Sequence, residues 1–479
     1  MITEATMKNY LLTGAFLFST ATSNLLLAQN ETEDDATVTY PAAYFSEYGV
    51  VSVNDMLSRI PGIGLALEGN QVPSFGDNNR GLGATSQILI NGKRLAGKAN
   101  EASSQLDRIA AEQVDYIEII RGSSGELDVR NSGQLVNIVL FESQSNSSSS
   151  GEIGFTHFHD GTAQPNGAFS YSAQSGSLNY LISADVTSGY EYQESREVSF
   201  LADNSLNDTR DFERTREQTT YRLNSNVVYQ PSPTDRIAFN FLYSESDPPA
   251  SLSRTITNYQ TANAAVTYER EELPSTQDNW ELGGDYEHNF GNGGKYKFLF
   301  IVNEEDRATT RESFVSAVLG GAETKDLFLD TSSKYQERIA RTSYTWPVAA
   351  EQSLELGIEG AQTIQNSALR LGLNLPGEPS ADFGGLRPIP VPNAFSTVEE
   401  VRFEGFAIHN WQINSRTSLE SSLFYETSEI EQSGDIKKKR DFDFVKPKLD
   451  LRVDISSSFQ LRASAEKDVS QLSFRDFSA

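Results

Sequence analysis

The residue types that catalyse reactions or bind metals are present in this chain, but their spacing assembles no site. His157 and His159 share one face of an expected strand, as two metal ligands could, yet no third ligand is placed to converge with them. Residues 81–83 read Gly-Leu-Gly and lack the third glycine and the βαβ setting of a dinucleotide-binding loop. Carboxylates are too numerous to single out a general acid and base, and the absence of cysteine excludes disulfides and thiolate metal sites. We therefore predict that the chain is not an enzyme and holds no catalytic residue, metal or cofactor.

The charge and hydropathy of the chain exclude two further classes of protein. Its 479 residues include 66 Asp and Glu against 39 Lys and Arg, so the net charge is −27 at pH 7. Because phosphate binding needs clustered Lys and Arg, we expect no nucleic-acid partner. After the N-terminus there is no apolar run of about eighteen residues, which excludes a membrane-spanning helix. Barrel strands stay compatible with this composition, because their alternating residues give a low hydropathy per segment.

Regular alternation of apolar and polar residues begins near residue 151 and continues along the chain. In residues 445–456 one face carries Val, Pro, Leu, Leu, Val and Ile, and the other carries Lys, Lys, Asp, Arg and Asp. Residues 221–229 and 236–244 alternate in the same way, with fewer charges. A strand with polar and charged groups along one face cannot bury that face in the dry core of a sandwich. It can line a wet lumen while the other face meets lipid, so we predict an antiparallel transmembrane β-barrel over 151–479.

Short and long links alternate between these expected strands. The short links fall at 174–177, 230–235, 291–294, 349–352, 414–418 and 456–458. The long polar links fall near 188–218, 245–278, 306–334, 371–397 and 428–440. Outer-membrane barrels join their strands by short periplasmic turns and longer external loops in this manner. Trp346 and Trp411 come just before short turns and Trp280 lies at the opposite end of its strand, which is typical of aromatic girdles at two membrane interfaces.

Residues 52–140 form a different unit, a small α+β domain ahead of the barrel. Ser52 and Asp55 have the spacing of a capping box, and Pro61 ends the helix that they begin. Asn91-Gly92 is the strongest short hairpin signal in this unit. Strands are expected at 63–67, 87–90, 114–120 and 135–140, with a short helix near 104–109.

The motifs of this unit resemble those of a known family. The stretches DMLSRIPGI, RGLG followed by ILINGKRL, and VDYIEIIRGSSGELDVRNSGQLVNIVL occur in the order and spacing found in the plug domain of TonB-dependent outer-membrane receptors. One departure is that many plugs end in YG…GGVVNI, whereas residues 127–130 read Leu-Asp-Val-Arg and 133–138 read Gly-Gln-Leu-Val-Asn-Ile. The resemblance implies a mainly β fold, in which an N-terminal α+β plug domain precedes an antiparallel transmembrane β-barrel.

The number of strands implies that the barrel is incomplete. About thirteen strands are expected after residue 151, whereas plugged transporters of this class have about 22. An odd and incomplete set of strands cannot close. We therefore expect an open edge, and a chain that is a C-terminally truncated fragment of a longer receptor.

The sequence divides into five segments. Residues 1–28 are predicted to be a signal peptide for export, with an apolar core at 11–18 and cleavage after Ala28. The resemblance implies that the exported protein resides in the outer membrane of a Gram-negative cell. Residues 29–49 begin acidic and polar, as flexible segments do. The plug domain is expected at 50–141, a Ser-rich linker at 142–150 and the partial barrel at 151–479.

The resemblance implies a partner for the N-terminal segment. In the family, a short β-prone patch at this place is the TonB box, which pairs as an added strand with the energy-transducing TonB–ExbB–ExbD complex. The matching patch of this sequence is Ala36, Thr37, Val38, Thr39 and Tyr40. An ordinary linker is the other interpretation of this degenerate patch.

The resemblance also implies roles for plug loops and two arginines. Ligand contacts in the family come from apical plug loops, which by position are Gly69, Asn70, Ala84, Thr85, Ser86, Lys98 and Asn100; plain solvated loops are the alternative. Arg80 and Arg121 match plug arginines that pair with barrel glutamates, and Glu355, Glu359, Glu420 and Glu426 are acids of this barrel that face the lumen. A guanidinium in a partly dry lumen needs such carboxylate partners.

The function implied by the resemblance is active uptake of a scarce ligand through the outer membrane. The ligand could be a siderophore, a vitamin, an oligosaccharide or a peptide, and the partners are that ligand, the transducing complex and outer-membrane lipid. A passive porin or adhesin-like barrel is an alternative that does not need a plug. A secreted carbohydrate-binding β protein is a second alternative, which the apolar stripes of the strands argue against.

Overall fold

The computed structural model of this chain describes most residues after position 36. The described residues are 37–50, 52–60, 88–92, 106, 109, 111–121, 134–141, 147–260, 264–456, 459–467, 469 and 474. They form a small sheet of four strands near the N-terminus and a large sheet of sixteen strands. No helix within these ranges is long and apolar enough to cross a membrane.

The small sheet, called the plug sheet, has the strand order β1-β3-β4-β2. Its strands are β1 Thr37–Pro41, β2 Ile88–Ile90, β3 Val114–Arg121 and β4 Gln134–Leu140, and its helices are α1 Val53–Ser58 and the 3₁₀ helices Ala42–Tyr48 and Ala111–Gln113. β3 pairs antiparallel with both β1 and β4, and β2 pairs parallel with β4. The strands expected at 87–90, 114–120 and 135–140 are thus present to within one residue. The strand expected at 63–67 and four of the six residues of the helix expected near 104–109 lie outside the described residues.

Helix α1 begins at the residues that predicted it. The Ser52 hydroxyl accepts the backbone N–H of Asp55 at 3.2 Å, and the Asp55 carboxylate accepts the backbone N–H of Ser52 at 3.0 Å. Two of the N–H groups that a helix start leaves unpaired are therefore satisfied by side chains. The capping box predicted from the sequence is confirmed.

A hydrophobic core joins the elements of the plug unit. Met56 and Leu57 of α1 are buried against Ile117 of β3 and Ile138 of β4. Phe45 of the first 3₁₀ helix is 1% exposed and belongs to the same core. Burying a side chain of this size stabilises the fold by about 1.5–3 kcal/mol, so this aromatic ring ties the N-terminal segment to the plug.

The large sheet is an antiparallel meander that runs from β5 to β20. Its strands are β5 Ser147–His157, β6 Ala163–Ser175, β7 Leu178–Phe200, β8 Leu206–Ser232, β9 Asp235–Asp247, β10 Ala250–Asn258, β11 Ala265–Leu273, β12 Ser275–Asn289, β13 Lys295–Ser316, β14 Thr324–Ala349, β15 Gln352–Leu373, β16 Arg387–Ile389, β17 Phe395–Asn414, β18 Thr417–Gly434, β19 Lys438–Ser456 and β20 Phe459–Glu466. Among the described residues β5 and β20 each pair on one side only. The expected incomplete barrel with an open edge is confirmed.

Three of the sixteen strands lie inside links that were expected to be loops. β10 and β11 form a hairpin in the link 245–278, and β16 lies in the link 371–397. The other thirteen strands follow the order that the alternation predicted. However, β7 and β8 extend through most of the expected link 188–218, and β13 and β14 through most of 306–334, so the segments between these strands shorten to 201–205 and 317–323. β10 pairs with the N-terminal part of β8, and β11 pairs with the C-terminal part of β13. The added hairpin therefore extends the sheet beyond β9 and β12.

Two expected segment boundaries differ from the structure. The segment 29–49 was expected to be flexible, but Thr37–Pro41 pairs with β3 and the helix after it carries the buried Phe45. The linker was expected at 142–150, but residues 147–150 already belong to β5 and pair with β6. Local composition predicts solvation in both places, whereas long-range strand pairing satisfies the backbone groups and orders the chain.

The two faces of the large sheet are inverted relative to a soluble protein. On the inner face, polar residues are buried: Glu281 is 1% exposed and Glu359 is 4% exposed. On the outer face, Ile358 is 64% exposed and Phe403 is 61% exposed. Exposed apolar side chains in register on neighbouring strands, with charges inside, are the pattern of a sheet whose outer face meets lipid.

Aromatic rings gather at the end of the large sheet where the short turns lie, called the short-turn end. Trp346 lies 5.5 Å from Tyr344 near the β14–β15 turn, and Trp411 lies 6.5 Å from His409 near the β17–β18 turn, measured between ring centroids. Trp280 is placed towards the other end of β12, opposite Glu304 of β13. The tryptophans thus have the positions that two interfacial girdles require.

Candidate functional site

The strand β1 occupies the edge of the plug sheet. It pairs with β3 from Thr37 opposite Ile120 to Pro41 opposite Tyr116. No described strand pairs with its other edge, and Val38 is exposed there. An exposed edge strand offers unpaired backbone N–H and C=O groups to an incoming strand. Four of the five residues of the candidate TonB box thus lie in a strand with an open edge, while Ala36 lies outside the described residues.

The plug contacts the wall near the short-turn end. The side-chain amide of Gln113 donates to the hydroxyl of Ser172 at 2.5 Å, and Ser172 lies three residues before the end of β6. Leu181, three residues after the start of β7, packs against the plug core. Because Gln113 immediately precedes β3, that strand begins at the short-turn end. β1 runs antiparallel to β3, so the 3₁₀ helix that follows β1 also lies at the short-turn end.

Three glutamates lie in one row across the inner face of the wall. Glu359 of β15 is opposite Glu404 of β17, which is opposite Glu426 of β18. Like charges directly opposite each other on a sheet repel, so this row needs cations. Three cations on the same face supply the balance, namely Arg341 of β14, Arg402 of β17 and Lys446 of β19.

These six side chains, called the inner ion network, are largely buried. Arg402 donates to Glu359 at 2.5 Å, and its other nitrogen lies 3.8 Å from Glu426. Lys446 donates to both Glu404 and Glu426 at 2.6 Å. The guanidinium of Arg341 donates to Glu359 at 3.5 Å and lies 4.1 Å above the ring of Phe406, in cation–π geometry. The network clamps five neighbouring strands together on the face that surrounds the lumen.

A second ion cluster lies at the end of the sheet opposite the short turns, called the long-link end, in the extension built by β10 and β11. Arg311 donates two hydrogen bonds to Glu271 at 2.7 Å each, and Arg254 donates to the same carboxylate at 2.8 Å. Burial alone would raise the pKa of the Glu271 carboxyl, but the two guanidinium groups outweigh burial and hold that pKa below its usual range. Glu271 is therefore ionised at neutral pH and joins β10, β11 and β13.

Removing Glu271 is expected to loosen this extension without unfolding the wall. Glu271→Ala leaves Arg254 and Arg311 without this shared carboxylate, and such charged hydrogen bonds contribute about 1.5–3 kcal/mol. We expect limited proteolysis to cut the β10–β11 hairpin at least tenfold faster in the variant. Glu272→Ala, which removes an exposed carboxylate from the other face of the same strand, is the matched control. Equal cleavage rates in the two variants would show that the cluster does not hold the hairpin.

Most of the predicted plug site residues lie outside the described part of the chain. These residues are Gly69, Asn70, Arg80, Ala84, Thr85, Ser86, Lys98 and Asn100. Arg121 is the last residue of β3, and its backbone pairs with Gln134. Of the barrel acids named for docking, Glu359 and Glu426 belong to the inner ion network. The ligand contacts and the docking role of the two arginines stay predictions.

Two family models together match most of the chain. The model described as TonB-dependent Receptor Plug Domain matches residues 29–132, and the model described as TonB dependent receptor-like, beta-barrel matches residues 220–477. The chain belongs to the TonB-dependent receptor family. The plug model includes residues 29–49, in agreement with the position of β1 in the plug sheet of this receptor.

Three solved structures illustrate what this receptor is similar to. The open form of the ferric-catecholate import receptor Fiu from E. coli K12 is 11% identical, with 90% of this chain and 84% of that chain covered and a TM-score of 0.30. The unliganded ferric citrate transporter FecA is 10% identical, with coverages of 88% and 74% and a TM-score of 0.30. The ferric yersiniabactin uptake receptor FyuA from Yersinia pestis is 10% identical, with coverages of 91% and 80% and a TM-score of 0.27. No curated protein sequence matches the chain.

The sequence reasoning missed two features of this receptor. One is the inner ion network, in which the acids were recognised but the cations that pair with them were not. The other is a ladder of three tyrosines, Tyr40, Tyr44 and Tyr48, that begins in β1 and continues along the first 3₁₀ helix. The spacing of four residues between successive tyrosines is visible in the sequence and could have predicted a shared helical face.

Proposed function

We propose that this receptor actively imports a scarce ligand through the outer membrane and draws its energy from the TonB–ExbB–ExbD complex. The observation that carries the proposal is the edge strand β1, which lies at the N-terminal side of the plug and pairs with no described strand on its other edge. A partner strand that adds to this edge gains main-chain hydrogen bonds along the whole of β1. Force applied to the segment then reaches the plug core through Phe45, and the plug rearranges to open a path.

A plug with its own hydrophobic core supports active import over a passive pore. A porin conducts through an open lumen and has no use for a globular domain that contacts its wall. In this chain the plug core packs against Leu181, and Gln113 bonds to Ser172 on the same wall. Opening the lumen therefore costs the free energy of these contacts. Supplying that free energy is the role of an external energy source.

The membrane location is supported by the outer face of the sheet. Exposed apolar side chains such as Ile358, Phe403 and Leu423 would be unfavourable in water and favourable against lipid acyl chains. Export by the predicted signal peptide at 1–28 is part of this proposal. The ligand enters from the long-link end, and its class stays open among siderophores, vitamins, oligosaccharides and peptides.

The proposed coupling is tested by direct binding of the energy-transducing partner. The purified periplasmic domain of the organism's TonB protein is titrated onto the full chain in detergent. A synthetic peptide of residues 29–49 is expected to compete for the domain, whereas the same peptide with proline in place of Val38 and Thr39 is not. Absence of binding to the full chain, or equal competition by both peptides, would contradict the assignment of the TonB box.

A further inference from the structure

An aromatic surface is exposed at the short-turn end of the plug. The rings of Tyr40 and Tyr44 lie 5.2 Å apart edge to face, and those of Tyr44 and Tyr48 lie 6.1 Å apart. The guanidinium of Arg59 lies 5.5 Å from the centre of the Tyr48 ring. Tyr44 is 38% exposed and Tyr48 is 45% exposed. We call the three tyrosines and Arg59 the tyrosine ladder.

The tyrosine ladder is rigid because a buried residue holds it. Phe45 lies in the plug core, and its ring packs at 5.0 Å against Tyr44 and at 6.5 Å against Tyr40. Tyr40 itself is partly buried against the core. Rings that are already fixed lose little conformational entropy when a partner covers them, and such preorganised aromatic residues dominate the affinity of protein interfaces.

The position of the ladder indicates its partner. It continues directly from β1, because β1 ends at Pro41 and the 3₁₀ helix begins at Ala42. It also lies at the short-turn end, which is the periplasmic end of an outer-membrane barrel. A protein domain that pairs its strand with β1 would therefore be brought within contact of Tyr44 and Tyr48.

The charge of the chain indicates the chemistry of that partner. The chain has a net charge of −27, and the sequence that precedes β1 contains Glu31, Glu33, Asp34 and Asp35. Glu47, which lies between Tyr44 and Tyr48 in the sequence, is exposed. A basic domain with apolar side chains on its surface complements this combination of acidic groups and aromatic rings.

We propose that the tyrosine ladder is a second docking surface for the basic periplasmic domain of the energy-transducing partner, alongside strand pairing at β1. The proposal rests on the proposed function, since it requires the same partner. Strand pairing is tolerant of side chains and supplies little specificity, whereas the ladder gives the partner a fixed surface of defined shape. The ladder also brings the partner's contact next to Phe45, the residue that ties the segment to the plug core.

The absence of cysteine makes a direct contact test possible. Tyr48→Cys gives the full chain a single thiol, and single cysteines are placed at surface positions of the purified periplasmic domain. We expect oxidation to give a disulfide-linked complex from Tyr48→Cys. Tyr259→Cys is the matched control, because Tyr259 is 38% exposed like Tyr44 but lies at the long-link end of β10. The docking surface is overturned if no cysteine position of the domain links to the Tyr48→Cys chain, or if the Tyr259→Cys control links equally well.

Affinity measurements separate this proposal from the proposed function. Tyr48→Ser leaves β1 and Phe45 unchanged and is expected to weaken binding of the domain by about tenfold, as loss of a moderate interface hot spot does. Tyr259→Ser is expected to bind like the unmodified chain. Unchanged affinity in Tyr48→Ser would overturn the ladder while leaving β1 pairing intact. If the unmodified chain does not bind the domain at all, both the ladder and the proposed function are overturned.

Discussion

Proline substitution in β1 is expected to abolish uptake by this receptor. Val38→Pro removes one backbone N–H from a strand of five residues and fixes a φ angle that disfavours a regular ladder. Because β1 is the strand through which the partner pulls in the proposed function, loss of its pairing disconnects the energy source. We expect the transducing domain to bind at least a hundredfold more weakly, and ligand-dependent growth through the receptor to stop.

A second proline variant separates loss of partner binding from damage to the plug. Successive residues of a strand direct their N–H groups to opposite edges, so Val38→Pro and Thr39→Pro remove donors from different edges of β1. One variant weakens the pairing with β3, and the other affects only the edge that the partner uses. We expect both to lose uptake, but only one to make the plug more sensitive to protease. Val38→Thr keeps the N–H and the β-branched shape and should transport normally; uptake retained in both proline variants would refute the role of β1.

Loss of Glu359 is expected to destabilise the barrel wall by about 3–5 kcal/mol. The reason is that Glu359→Ala leaves buried cations without their shared carboxylate, and uncompensated buried charge is the costly outcome of breaking such a pair. Arg341 is most affected, because among the described residues only Glu359 accepts a hydrogen bond from it. Arg402 keeps Glu404 and Glu426 nearby and is partly compensated.

An exposed pair on the same sheet provides the control. Glu429 of β18 and Lys439 of β19 lie 2.6 Å apart, but both are largely exposed on the outer face. Exposed pairs contribute at most about 1 kcal/mol, so Glu429→Ala should have little effect. The free energy of unfolding is measured by urea titration in detergent, followed by the fluorescence of the three tryptophans. Similar losses in the two variants would show that burial does not decide the strength of these ion pairs.

The class of fold follows from short-range patterns of the sequence. Alternation with a period of two, as in residues 445–456, indicates which side chains meet lipid and which meet the lumen. The reason is that successive side chains of a strand point to opposite faces, so each residue suits the environment of its own face. The capping box at Ser52 and Asp55 is equally local, since both partners lie within one helical turn. The plug motifs indicated the family of the chain, and the family models confirm it.

The expected loops failed at β10, β11 and β16 because polar composition does not exclude strand pairing. Residues 250–258 and 265–273 are rich in Ser, Thr, Arg and Glu, which resemble a solvated link. Their backbone groups nevertheless pair with β8 and β13, and the cluster around Glu271 fixes the hairpin in place. The deciding contacts lie far apart along the chain, as between Glu271 and Arg311, which are 40 residues apart, and no short window of sequence contains both partners.

The sequence by itself determined the face on which each charged residue lies, and only the tertiary structure decided which charges meet. A shift of two residues between neighbouring strands leaves every side chain on its original face, so the pattern that predicts the barrel does not fix its register. The register of β14 against β15 is set near the turn, where Ala349 lies opposite Gln352 and a bulge next to Pro347 shifts the register by one residue, and this places Arg341 opposite Glu359. The same reason applies to β1. Its residues predict a strand, but they do not predict which strand it pairs with. The pairing of Thr37 with Ile120 in β3 depends on tertiary packing, in which Phe45 joins the plug core.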